Sequence, residues 1–250
     1  MTDLSGMTTI VVGASRGLGH GIVTAFAKAG APVIAVSRTT AAFAEPSDGA
    51  GTIQPVAADA GDATAPARLL DRYQPQAVIL VAGATPHMRP LHQQTWETFS
   101  VNWQTDVKMT FHWLREALLT PLRPGSRVVV FSSGVAVNPN GSPLSGGYAG
   151  AKATQRLITV YARDEADRAG LDITFTAVLP KLAPQSDVGE AAIRAYAARA
   201  GQPVEEYIEQ LDTQITPEIA GTAMVDLAKA DAAAIAPAYL LTGNGLQKLP

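Results

Sequence analysis

Residues 8–19 read Thr8-Thr9-Ile10-Val11-Val12-Gly13-Ala14-Ser15-Arg16-Gly17-Leu18-Gly19, a β-branched run that passes through three glycines into a helix-patterned segment, Gly17–Ala29. A strand, a glycine turn and a helix start in this order let the backbone approach a pyrophosphate closely and aim the free N–H groups of the helix at it. Glycines alone serve any crowded strand-to-helix turn; the flanking strand and helix are what point to a nucleotide. Gly13, Ser15, Arg16, Gly17, Leu18 and Gly19 are therefore candidate cofactor-binding residues.

Downstream, short β-rich runs alternate with longer helical patterns. The runs are Thr8–Val12, Val33–Ser37, Thr52–Ala57, Ala77–Ala82, Arg127–Ser132, Asp172–Val178 and Ala238–Thr242. The helical segments are Gly17–Ala29, Ala63–Tyr73, Thr95–Leu119, Ser145–Ala169 and Pro217–Ala228. Such alternation predicts right-handed crossovers and a doubly wound, Rossmann-type parallel sheet of about seven strands with helices on both faces. The 250 residues are expected to form one α/β domain. Trp103, Val107, Phe111, Leu114 and Leu118 recur at helical spacing, so their stripe needs cover from the sheet or from another subunit. Lys181–Thr216 carries a helical pattern of its own (Ala191, Ile193, Tyr196, Ile208, Leu211) outside the alternation and reads as an inserted substrate lid. Glu205, Glu206, Glu209 and Asp212 are expected on its exposed side.

Hydrophobic residues make up 47% of the chain and aromatics 6%, and the formal net charge is -3 with no Lys/Arg run. That balance suits small-residue packing of helices on a sheet and offers no electrostatic footprint for nucleic-acid phosphates or an anionic bilayer. The absence of cysteine removes disulfides, thiolate metal sites and cysteine nucleophiles. Met1–Ile10 lacks the basic flank and apolar core of a signal peptide, and no apolar stretch reaches membrane-spanning length. A soluble, cytoplasmic protein acting on a small molecule is expected, without a metal. His87 and His92 match no metal-ligand spacing and are given no role.

The second run ends Ala35-Val36-Ser37-Arg38, where an NAD-binding domain often carries a carboxylate to accept from the ribose hydroxyls. Guanidinium groups there suit a ribose 2′-phosphate, and Arg38 with Arg16 from the glycine turn supplies two. NADP(H) is the expected cofactor. Tyr148-Ala149-Gly150-Ala151-Lys152 sets a phenol and an ammonium four residues apart on one helix face. A nearby ammonium favours phenolate, which fits such a pair to exchange protons with a substrate. The same spacing also arises in amphipathic surface helices. What distinguishes it here is the preceding run, Arg127-Val128-Val129-Val130-Phe131-Ser132-Ser133-Gly134, which brings two hydroxyls to the carboxyl edge of the sheet where open α/β folds bind ligands. Ser133 is the candidate for hydrogen-bonding a substrate oxygen; Ser132, one residue earlier, is expected to point the other way. Asn102, in Val101-Asn102-Trp103, is the candidate to hold a water linking Lys152 to solvent, although alone it reads equally as a local helix distortion.

Gly13-x-x-x-Gly17-x-Gly19, Asn102, Ser133 and Tyr148-x-x-x-Lys152, in this order and at these intervals, resemble the short-chain dehydrogenase/reductase family over nearly the whole chain. The resemblance implies that Tyr148 is the general acid/base, that Lys152 binds the nicotinamide ribose and supports the phenolate, that Ser133 polarises the substrate oxygen, and that Asn102 completes a proton relay. It further implies cofactor contacts from Asp59, in Ala57-Ala58-Asp59-Ala60, to the adenine, with Ala60 beside it, and from Ala82, Gly83 and Pro180 near the nicotinamide end. A homotetramer or homodimer paired through the helices containing Trp103–Leu118 and Ala151–Ala162 is also implied. The chain departs from the family at Leu80-Val81, where two asparagines are usual, at Lys181, where glycine is usual, and in a slightly longer loop from Ser133 to Tyr148. Lys181 is either a solvated surface cation or an anchor for an anionic substrate. The implied activity is NADP(H)-dependent interconversion of a carbonyl and an alcohol by hydride transfer. Two alternatives stay open: an isomerase or lyase that reuses its bound cofactor, and a non-catalytic nucleotide-binding regulatory or scaffold protein of the same fold.

Overall fold

The computed structural model of the chain describes residues 4–43, 51–211 and 214–249. All seven β-rich runs are strands: β1 (Thr9–Val12), β2 (Val33–Ser37), β3 (Ile53–Ala57), β4 (Ala77–Leu80), β5 (Ser126–Phe131), β6 (Ile173–Pro180) and β7 (Ala238–Thr242). They pair in parallel, and an eighth strand, β8 (Gly245–Leu249), adds antiparallel to β7, giving the order β3-β2-β1-β4-β5-β6-β7-β8. The sequence reading missed β8 because it is a short edge strand, Gly-Leu-Gln-Lys-Leu, without β-branched residues, joined to β7 by a tight Gly243-Asn244 turn.

Alternation along the strands divides the core in two. Val11, Ile79 and Val129 pack on one face with Ile22 and Phe26 of α1 (Gly17–Lys28) and Met224 of α8 (Pro217–Lys229). Val12, Leu80 and Val130 pack on the other face with Leu69 and Leu70 of α2 (Ala65–Tyr73) and with Met109 and Trp113 of α4 (Lys108–Leu119). Ala162 and Ala166 of α5 (Gly146–Arg168) belong to that second cluster. The stretch after β6 holds α6 (Asp187–Ala200), capped by Ser186, which accepts from the Gly189 amide, and α7 (Val204–Glu209). Asp212, expected on the exposed side of this stretch, lies outside the described residues. Among the described residues, no helix is long and apolar enough to cross a membrane.

The predicted single helix Thr95–Leu119 is interrupted. It consists of α3 (Trp96–Asn102), a π turn (Trp103–Val107) and α4. The wider turn inserts one residue into the helical repeat, so the apolar stripe read at constant spacing splits. Leu114 is buried, whereas Trp103 and Phe111 are 38% and 52% exposed. The same shift turns Asp106 into the interior, where it is fully buried.

Candidate active site

The strand order reverses between β1 and β4, and the carboxyl ends of the strands there open into one cavity of about 1070 Å³. Gly13, Ser15, Arg16, Gly17, Leu18, Gly19, Arg38, Asp59 and Ala60 line one end of it; Ser133, Tyr148, Lys152, Pro180 and Lys181 line the other, and Ala82 and Gly83 lie between. Asn102 is fully buried and stands behind the lining.

The first end is made of backbone. Gly13 has φ +94°, and a Cβ there would lie 2.5 Å from the amide nitrogen of Ala82; a Cβ on Gly19 would run into the carbonyl oxygen of Gly13. Among the described residues no side chain caps the N-terminus of α1, and its first turn carries no acid, so free N–H groups are left for an anionic ligand. These features fit a dinucleotide pyrophosphate. Asp59 folds back on its own turn, its Oδ1 accepting from the Gly61 amide at 2.9 Å. Arg16 bridges to Asp187 at the start of α6 (2.7 Å), both side chains being well exposed.

The second end is made of side chains. Ser132 and Ser133 separate as an extended strand requires: Ser132 Oγ is buried and donates to the Lys152 carbonyl at 2.7 Å, while Ser133 Oγ accepts a 3.4 Å bond from the Val135 amide. Lys152 Nζ lies 5.6 Å from the centre of the Tyr148 ring and donates to the Phe131 carbonyl at 3.3 Å. It also pairs with Asp106 Oδ2 at 3.1 Å. Burial pushes the Lys152 ammonium toward losing its proton, but Asp106, helped by Tyr148, more than offsets this and holds it above the usual lysine range. The Asn102 amide donates to the Ala84 carbonyl (2.7 Å) and to Asp106 Oδ2 (3.2 Å), so its route to Lys152 runs through that carboxylate. The segment that lacks the family's two asparagines is thus held at Ala84 by Asn102 and, through its amide, by Asp106.

Asp106, Tyr207 and the polar role of Tyr196 are not legible in the sequence. An acid four residues after Asn102 was the available signal, hidden because constant helical spacing sets it beside the expected apolar stripe. Tyr196 fits the helical pattern of Lys181–Thr216, yet its hydroxyl bonds Ser142 Oγ (2.7 Å) and receives the Leu144 amide (3.3 Å), tying α6 to the loop before Tyr148. Tyr207 of α7 also lines the cavity, and burial beside Tyr196 pushes its hydroxyl above the usual tyrosine range.

Residues 7–192 match the short chain dehydrogenase family. The chain belongs to that family, whose members are oxidoreductases that bind a nicotinamide cofactor and act on small molecules. This short chain dehydrogenase is 31% identical to carbonyl reductase [NADPH] 2 from Sus scrofa over 109 residues, 44% of this chain and 45% of the relative. It is 32% identical to L-xylulose reductase from Homo sapiens over 105 residues, 42% of this chain and 43% of that one. The chain therefore matches under half the length of these curated relatives. A short chain dehydrogenase from Mycobacterium avium superposes with a TM-score of 0.75 at 18% identity, covering 100% of this chain and 86% of its own. A 3-oxoacyl-[acyl-carrier protein] reductase from Brucella melitensis in complex with NAD gives 0.74 at 20% identity, covering 95% and 96%. A short chain dehydrogenase from Burkholderia cenocepacia in complex with NADP gives 0.71 at 21%, covering 95% and 89%. At these identities the likeness shows a shared fold.

Proposed function

We propose that this short chain dehydrogenase is an NADP(H)-dependent oxidoreductase that interconverts a carbonyl and an alcohol, with Tyr148 as its proton-transfer residue. The reading is carried by one observation, the meeting of the glycine cradle with Ser133, Tyr148 and Lys152 in a single cavity. Gly13, Ser15, Gly17, Leu18 and Gly19 would hold the pyrophosphate, Asp59 and Ala60 the adenine, and Ala82, Gly83 and Pro180 the nicotinamide end. Structures of this fold occur with NAD and with NADP, so the choice rests on Arg38 and Arg16, two guanidiniums at the ribose end of the cavity. The name of the Sus scrofa relative, a carbonyl reductase [NADPH], agrees with that choice.

A bound nicotinamide supplies or takes up the hydride. In reduction, Tyr148 Oη gives its proton to the substrate oxygen while Ser133 Oγ hydrogen-bonds the same oxygen as negative charge develops on it. Lys152, held charged in the wall of the cavity, favours the phenolate left behind. In oxidation the same groups act in reverse. α6 and α7, within the span 181–216, serve as the substrate lid, with Lys181 at the cavity wall. Phe111, Leu157 and Tyr161, 52%, 49% and 59% exposed on α4 and α5, are the face through which a second copy would pair, as a homodimer or within a homotetramer. We place the protein in the cytoplasm as a soluble enzyme.

The test is NADPH oxidation against ketones, aldehydes and β-keto acids, with Tyr148→Phe as the control. Turnover is expected for the wild type, with a loss of about 100-fold or more in kcat for the variant. Substrate conversion without net NADPH consumption would replace this reading with an isomerase or lyase, and an unaffected variant would remove Tyr148 from the chemistry.

A further inference from the structure

A buried ion pair sits at the catalytic end. Asp106 Oδ2 lies 3.1 Å from Lys152 Nζ, and the two side chains are 0% and 6% exposed. The carboxylate is built in from several elements. Its Oδ1 accepts from the Ala84 amide and from Thr105 Oγ1, each at 2.8 Å, and its Oδ2 accepts from Asn102 Nδ2 at 3.2 Å. Gly83 passes so near that a Cβ on it would come within 2.9 Å of Oδ2. The Asp106 carbonyl accepts from Gln155 Nε2 at 3.1 Å, and that amide donates as well to Thr110 Oγ1 at 2.6 Å, locking the π turn against α5. The π turn thus delivers a buried carboxylate to Lys152, and a buried acid needs such a partner to be tolerated.

We propose that Asp106 is a positioning residue of this active site: it fixes the Lys152 ammonium in the cavity wall and keeps it charged there, so that the acid–base unit is Asp106–Lys152–Tyr148. The proposal rests on the assignment of Tyr148 above. The titratable groups that act on Lys152 are Asp106 from the π turn and Tyr148 from its own helix, while β5 presents the Phe131 carbonyl. Burial works against the ammonium, so removing the Asp106 charge exposes Lys152 to that penalty.

Asp106→Asn has two effects, and both act in one direction on carbonyl reduction. The ammonium gives up its proton at a lower pH, and with it the hold on Tyr148 and the cofactor ribose. While it stays protonated, its unshared charge falls on Tyr148 and favours phenolate, which has no proton to donate. Each depletes the reduction-competent state as pH rises. The alkaline limb of kcat/KM for NADPH-linked reduction is therefore expected to move down by about one pH unit or more, a loss of about tenfold or more on the alkaline side that shrinks toward pH 6. A uniform loss with the limb in place would overturn the proposal and leave the Tyr148 reading standing; a wild type without Tyr148-dependent turnover would instead overturn that reading.

A thermal-unfolding cycle on the ligand-free protein tests the pair without any activity. Lys152→Met leaves the carboxylate unpaired, so its folded-state affinity for a proton rises above the unfolded one, and the melting temperature is expected to fall as pH is raised from 5 to 8. Adding Asp106→Asn to Lys152→Met removes that charge and is expected to restore stability and flatten the pH dependence. Additive effects of the two substitutions would show that the charges are uncoupled and would overturn the proposal.

Discussion

The two ends of the cavity are built on opposite principles. The cradle end uses backbone, drawn mostly from one continuous stretch, Gly13–Gly19, with a surface ion pair, Arg16–Asp187, as its link to α6. The end around Tyr148 and Lys152 uses side chains from distant segments, joined by bonds between residues far apart in the chain: Lys152 with Asp106, Ser132 with the Lys152 carbonyl, Trp103 Nε1 with the Gly147 carbonyl at 3.1 Å, and Tyr196 with Ser142. A backbone surface fails when atoms are added to it. A side-chain constellation fails when one oxygen or one charge is taken away.

Adding a methyl group at the cradle tests the first half of that contrast and carries the largest expected effect on stability. In Gly19→Ala the new Cβ meets the Gly13 carbonyl, part of a tight turn that cannot yield cheaply, and a loss of about 3 kcal/mol with loss of cofactor binding is expected. Gly17→Ala is the matched control. Its Cβ meets nothing within 4 Å, and the cost is that of a left-handed backbone at φ +54°, about 1 kcal/mol. Equal melting temperatures for the two variants would show that crowding does not shape the cradle. Arg38→Asp probes the same end through charge. With a carboxylate in place of the exposed guanidinium, KM for NADPH is expected to rise about 10- to 100-fold with little change for NADH, and the effect should weaken in high salt. Equal changes for both cofactors would take the 2′-phosphate away from Arg38.

The contrast also explains what could be read in the chain before folding. The alternation of strands and helices and the glycine turn are local patterns, and the strands and helices they predict are present within a few residues, except that Thr95–Leu119 is broken by the π turn. Ser132 and Ser133 separate because a strand's two-residue period is equally local. β8 lacked such a pattern. Asp106 could not be read because its burial depends on one extra residue in a π turn and on partners at Ala84 and Lys152, on other segments of the chain. Lys181 shows the same limit: its amide donates to the Leu241 carbonyl at 2.9 Å, extending the pairing beyond β6, so its place at the cavity follows from the sheet's register with β7.

The smallest expected effect lies where the Tyr148 end of the cavity meets α6. Tyr196 Oη bonds Ser142 Oγ, and Ser142 Oγ is 2.6 Å from Ser145 Oγ, at the N-terminus of the helix that carries Tyr148 three residues later. Tyr196→Phe removes a single oxygen and with it this bridge and the acceptor of the Leu144 amide, at a cost of about 1 kcal/mol. If the bridge holds the lid over the substrate, KM should rise about fivefold with kcat nearly unchanged. If the bridge instead sets the position of Tyr148 through Ser145, kcat should fall and KM should stay. The second outcome would extend the side-chain constellation into the lid and move the boundary between the two ends of the cavity out to α6.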